Sequence, residues 1–315
     1  MASAAASLLA RLSRAIGRES AQHELRWMRQ ALQAPSNRIP PSAQTVEDMV
    51  ERRIRGEPLQ YILGSQPFGP LNLAVRSPVL IPRPETEDWA LNLAELIRSQ
   101  PAPARPLNIL DLCTGTGCIP LLLCRELPPG TAHATGVDIS EDAVTLAKEN
   151  ARLNDVPVLP PPYSRHASSR ERRANTFTPV LADLMQPGFV KNACLDPPYD
   201  VITSNPPYIP KAEYDRLDAS VKDYEDVRAL LGDPEGAVPV TLPEAEREKG
   251  LSFYHRIAEL LRDEDLLEPN GILALEVGDG QADDVASILK RRTHMQTIDI
   301  WNDPWGKARV VFARR

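Results

Sequence analysis

The feature that most constrains this chain is a change of hydrophobic period at residue 107. Leu107-Asn108-Ile109-Leu110-Asp111-Leu112 is short and nearly continuously apolar, then gives way to Cys113-Thr114-Gly115-Thr116-Gly117 and a helical stretch. Such a run is expected of a strand buried on both faces of a parallel sheet. The pattern recurs. Ala134–Asp138, Val180–Asp183, Tyr199–Ser204 and Gly271–Val277 read as further strands, with helices over Glu141–Asn154, Ser252–Leu261 and Ala282–Arg291. Thr297–Trp301 and Ala308–Ala313 close the series as a strand pair that predicts an antiparallel strand at the end. Alternation of this kind predicts an α/β, Rossmann-like, doubly wound sheet.

Upstream of residue 84 the pattern differs. Leu8, Leu9, Leu12, Ile16, Leu25, Trp27, Met28 and Leu32 recur at helical spacing, and Thr45 is placed to cap a second helical segment. Residues 1–58 therefore read as a small helical domain. Over 59–83, short apolar runs at Tyr61–Leu63, Leu71–Val75 and Val79–Ile81 alternate with Gly and Pro and predict a β-hairpin linker. Pro84-Glu85-Thr86-Glu87 opens the helix that begins the large domain, residues 84–315, since proline and acids suit a helix N-terminus. Two stretches, 156–178 and 232–250, break the alternation and read as surface insertions.

Composition narrows the function. With 36 basic and 43 acidic residues the formal net charge is -7, which argues against a broad electrostatic grip on nucleic acid. The four cysteines form no C-x-x-C pair and the five histidines are scattered, so no metal site is expected. No apolar run approaches the ~20 residues that span a bilayer. Residues 1–18 carry Arg11, Arg14 and Arg18, several Ala and Ser, and no acid, a composition that suits a mitochondrial presequence. An ordinary basic first helix would look similar. Nothing demands a dimer, and a monomer is expected.

Ligands of doubly wound sheets bind at the carboxyl ends of the strands. There the glycines of Asp111–Gly117 let the backbone approach a ligand closely, and Asp138 ends the next strand where a carboxylate can accept both hydroxyls of a ribose. A nicotinamide dinucleotide needs a third glycine where this chain has Pro120. S-adenosylmethionine has no pyrophosphate and does not need it, and Asp111 or loop carbonyls can offset its ammonium group. Asp183, at the end of the third strand, is expected near the adenine, although a solvated strand-end acid would look the same.

Ser204-Asn205-Pro206-Pro207-Tyr208 follows the fourth strand beside the same cleft. An amide nitrogen is a poor nucleophile, because its lone pair is delocalised into the carbonyl. Asn205 supplies a side-chain carbonyl and Pro206 a backbone carbonyl of fixed direction, which can hold the NH2 hydrogens and aim the nitrogen. Tyr208 supplies a flat face for a planar amide. Asp196-Pro197-Pro198-Tyr199 is the acidic form of the same tetrapeptide, but it precedes the fourth strand and is expected at the wrong edge of the sheet.

With these residues the sequence resembles the HemK/PrmC-type protein-(glutamine-N5) methyltransferases, which modify the glutamine of the Gly-Gly-Gln motif in class I peptide chain release factors. Arg55–Gly64 is similar to the family's hinge and Leu80–Glu87 to its signature loop. Asp111–Gly117, Asp138, Asp183-Leu184 and Asn205–Tyr208 match its cofactor and substrate positions. The resemblance implies a seven-stranded class I methyltransferase domain, with S-adenosylmethionine held by Asp111, Cys113, Thr114, Gly115, Thr116, Gly117, Asp138, Asp183, Leu184 and Asn205. It implies a catalytic role for Asn205, Pro206 and Tyr208, and substrate contacts from these with Pro207, Arg83 and Glu85. A P-R-P-E-T-E loop could equally serve only to cap the following helix. Cys113 stands where the family usually has glycine, and Leu184 where bacterial members often have an aromatic. The insertions and the basic start resemble fungal mitochondrial members. An adenine-N6 methyltransferase acting on DNA or RNA remains the alternative, since it also methylates a planar amino group. A noncatalytic termination partner is a second alternative, against which the intact Gly115, Gly117, Asp138 and Asn205 weigh.

Overall fold

In a computed structural model, which describes residues 2–33, 39–101, 104–161, 173–234, 243, 246 and 248–315, the apolar periodicity resolves into three main cores. The first joins α1 (Ala2–Ile16), α2 (Arg18–Gln33), α3 (Val46–Ile54) and α4 (Leu59–Leu63) through Leu8, Leu12, Leu25, Met28, Met49 and Ile62. Thr45 caps α3, its hydroxyl accepting the Asp48 backbone N–H at 3.1 Å. The run Leu59–Leu63, expected within a hairpin linker, is helical instead, and Leu59 and Ile62 belong to this first core. Burying both in one direction needs helical spacing, because a strand would turn neighbours to opposite faces.

The hairpin itself is β1 (Ser65–Phe68) paired antiparallel with β2 (Leu71–Ala74). The Val79–Ile81 run that follows is not a strand. Asn150 fastens the hairpin to the large domain. Wholly buried, it accepts the Ala74 N–H at 2.7 Å and donates to the carbonyls of Ala74 and Thr116 at 3.1 and 3.0 Å.

The large domain opens with α5 (Pro84–Arg98). It continues as β3 (Leu107–Leu112), α6 (Cys118–Glu126), β4 (Ala132–Asp138), α7 (Glu141–Leu153), β5 (Thr176–Leu181), α8 (Phe189–Asn192) and β6 (Tyr199–Ser204). The short helices α9 (Lys211–Tyr214) and α10 (Ala219–Lys222) lead to α11 (Ser252–Asp263), β7 (Leu267–Glu276), α12 (Ala282–Arg292), β8 (Thr297–Asn302) and β9 (Ala308–Arg314). The sheet order is β5-β4-β3-β6-β7-β9-β8. β9 runs antiparallel between β7 and β8, so the reversed strand lies one in from the edge. One core packs α11 and α12 against Leu110, Leu112 and Ile202. The other packs α5, α6 and α7 against Ile109 and Val201. The strand period of two thus covers both faces of the sheet.

The third strand begins earlier than its apolar run suggests. It spans Thr176–Leu181, so Thr176, Phe177 and Thr178 belong to the sheet and not to an insertion, and Asp183 lies beyond the strand end. Residues 162–172 of the first insertion, and 235–242, 244, 245 and 247 of the second, lie outside the described residues.

Candidate active site

The carboxyl ends of β3, β4 and β6 border a cavity of about 580 Å³, within the range of small-molecule sites. Cys113, Gly115, Asp138, Asp183, Leu184, Asn205 and Pro207 line it. At Gly115 a β-carbon would meet no atom within 4 Å, so this stretch of backbone is bare toward open space. Asp138 pins the loop: its Oδ2 accepts the Gly115 N–H at 2.8 Å and its Oδ1 the Ser140 N–H at 2.9 Å. Burial raises the Asp138 carboxyl and the two backbone N–H groups pull it back. Cys113 takes a φ of +61°, which costs a side chain about 1–2 kcal/mol and a glycine almost nothing. Burial drives its thiol well upward, away from thiolate chemistry.

Other residues singled out in the sequence stand behind the cavity wall. Thr114, Thr116 and Gly117 shape the loop, Gly117 donating its N–H to the Thr114 carbonyl at 2.8 Å. Asp111 is wholly buried; Thr203 donates to its Oδ1 at 2.6 Å, and Oδ2 has no hydrogen bond among the described residues. Burial lifts its carboxyl to about 7, against the pull of the nearby Thr203 and Thr114 hydroxyls. The folded state therefore binds this proton more tightly than the unfolded chain, whose value is near 3.8. The stabilisation is complete below that value and is lost as pH rises through about 7. Without cofactor, wild-type stability should fall between pH 4 and 8 by up to about 4 kcal/mol more than that of Asp111→Asn. Thermal unfolding across that range checks this, and parallel curves for the two proteins would refute it.

Asp183 braces its own turn, its Oδ1 accepting the Met185 N–H at 2.9 Å. Pro206 is buried, and Tyr208 packs on the larger core. The Tyr208 carbonyl accepts Gln281 Nε2–H at 2.8 Å, and a β-carbon on Gly250 would stand 2.1 Å from that oxygen. Burial raises the Tyr208 phenol, which stays neutral at physiological pH. Arg83 does not line the cavity. It pairs with the buried Glu225 at 2.6 Å. Glu85 borders a separate cavity with Trp89, Asp303 and Arg309. The acidic decoy lies at the opposite end of the sheet, since Tyr199 begins β6 and pairs with Leu267 at the start of β7.

The cavity also has a roof that no sequence motif announces. Pro78–Leu80 and Asp226–Leu231 cover it, joined by the Asp226 N–H to the Pro78 carbonyl at 2.8 Å and by Ser77 Oγ to the Tyr224 carbonyl at 2.7 Å. Arg228, in that roof, is held by Asp226. Nothing local marks this segment. Glu276 is likewise unmarked, although it ends β7 as Asp138 ends β4, a position that could have drawn notice.

Bare glycine backbone, a strand-end carboxylate and a cavity of this size fit S-adenosylmethionine. Together with the sheet order they define a class I S-adenosylmethionine-dependent methyltransferase. Residues 105–158 match a methyltransferase domain and residues 5–64 the PrmC N-terminal domain. Release factor glutamine methyltransferases from Bacillus anthracis and Thermodesulfovibrio yellowstonii are 32% and 33% identical to the chain over 266 and 275 residues. The alignments take in 84% and 87% of this chain and 79% and 82% of those relatives, and the chain belongs to the release factor glutamine methyltransferase family. One from Geobacter sulfurreducens is 34% identical over 266 residues, 84% of this chain and 76% of the relative.

Proposed function

We propose that the enzyme methylates the side-chain amide nitrogen of the glutamine in the Gly-Gly-Gln motif of a class I peptide chain release factor, acting as a monomer in the mitochondrial matrix. The observation that carries the chemistry is Asn205 on the cavity wall, at the carboxyl end of β6, followed by the rigid Pro206-Pro207 pair. The family supports the substrate. Asn205 Oδ1 and the Pro206 carbonyl accept the two N–H bonds of the glutamine amide and aim its nitrogen lone pair into the cavity. Tyr208, a neutral phenol at physiological pH, would offer its ring to the planar amide. Gly115 and Asp138 would hold S-adenosylmethionine, which supplies a methyl group activated by its sulfonium. The new N–C bond would form as the sulfonium C–S bond breaks, leaving a neutral thioether, and the amide would then give a proton to water; what this chain's own residues contribute is positioning and electrostatics.

The mitochondrial assignment rests on the basic, acid-free start. Leu8 and Leu12 of that helix also pack into the N-terminal core. Uptake by isolated mitochondria tests this part, and no uptake would sink it. Radiolabelled S-adenosylmethionine tests the rest. Label should enter a class I release factor and not its variant with the motif glutamine replaced. Label on an oligonucleotide alone would favour the adenine reading.

A further inference from the structure

Glu276, a residue 2% exposed, ends β7, and one of its oxygens, Oε2, receives two hydrogen bonds. Trp89 Nε1–H donates to it at 2.8 Å and the Thr86 hydroxyl at 2.7 Å. An indole N–H can only donate, and a carboxylate can only accept. Burial pushes the Glu276 carboxyl upward and these two bonds pull it back. A hydroxyl has a single proton. With it committed to Glu276, Thr86 Oγ1 offers only lone pairs to its other neighbour, Asn205 Nδ2, at 3.4 Å. The amide must present its NH2 end there, because its oxygen would set acceptor against acceptor. Asn205 Oδ1 is thereby left for the cavity that Asn205 lines.

We propose that Thr86, set by Glu276 and Trp89, is a positioning residue that fixes which end of the Asn205 amide faces the substrate. This rests on the proposed glutamine chemistry, in which Oδ1 must accept an N–H; a flipped Asn205 would oppose donor to donor. Thr86 is 1% exposed, so valine fills its space without the hydroxyl.

In Thr86→Val, kcat for release factor methylation should fall at least about tenfold, since small misplacements cost that much. Cofactor affinity should stay near wild type, Tm should fall modestly because buried Glu276 loses one hydrogen bond, and Thr86→Ser should recover kcat to within about threefold. A merely structural role would move cofactor affinity along with kcat. The second readout is the Asn205 side-chain NH2 signal in nitrogen-15 NMR, identified by its loss in Asn205→Asp. Its protons should exchange slowly in the wild type and at least about tenfold faster in Thr86→Val. Wild-type kcat in Thr86→Val, or equal losses in the valine and serine variants, would overturn the proposal. So would fast exchange of that amide in the wild-type protein, a result that needs no Val variant to fold. A wild type inactive on the release factor would instead sink the substrate reading, while the amide exchange still reports on the orientation.

Discussion

Asn205→Ala should lower kcat about 10²–10³-fold with cofactor affinity changed far less, the loss expected when one preorganised polar partner of the reacting group is removed. The reason lies in the nucleophile. A glutamine amide has two N–H bonds to satisfy and a lone pair delocalised into its carbonyl, so it reacts only when held with that lone pair aimed. Alanine removes the Oδ1 acceptor and, with it, the partner of Thr86. The β6 backbone is untouched, because its register with β3 and β7 is set by main-chain bonds. Single-turnover label transfer at saturating cofactor, beside calorimetric titration of S-adenosylmethionine, separates the two effects. Equal losses in transfer and in cofactor binding would show that Asn205 serves only to hold the cofactor.

Asp138→Ala should weaken S-adenosylmethionine binding about 100-fold, the worth of one or two hydrogen bonds to a charged group. Asp138 does two things at once. It accepts the Gly115 and Ser140 N–H groups, which shapes the loop before any ligand arrives, and it lines the cavity where a ribose acceptor is needed. Burial raises its carboxyl, so its charge adds little to stability, and its strand-end place on the cavity wall fits a binding role. Calorimetry on the folded variant checks this. The Tm without cofactor should change little, because lost loop bonds and a relieved buried charge oppose one another. Near wild-type affinity would mean that the ligand lies elsewhere in the cavity.

Two segments, Leu59–Leu63 and Thr176–Leu181, depart from their local pattern because that pattern is too short or too polar to show its period. Leu59–Leu63 is five residues long, too short for its period to tell a buried helix from a buried strand. Thr176–Leu181 carries two threonines and Pro179, which hid its start inside a polar stretch, although it pairs with β4 throughout. Arg83, in the loop before α5, pairs with Glu225, 142 residues away, a contact that no local pattern marks.

By itself the sequence determined the strand–helix alternation, the helical first domain, the glycine loop and the place of the Asn205 tetrapeptide. These are local matters. Period, caps and turn residues act over a few positions, and strand direction then assigns each loop to one end of the sheet. That is why the sequence alone separates Asn205-Pro206-Pro207-Tyr208 from Asp196-Pro197-Pro198-Tyr199. Only the tertiary structure decided the roof over the cavity, the retreat of Asp111 behind its wall and the chain from Glu276 through Thr86 to Asn205. Those depend on side chains from distant segments meeting within hydrogen-bond range, where burial forces each polar atom to find a partner, and no local pattern encodes such a meeting.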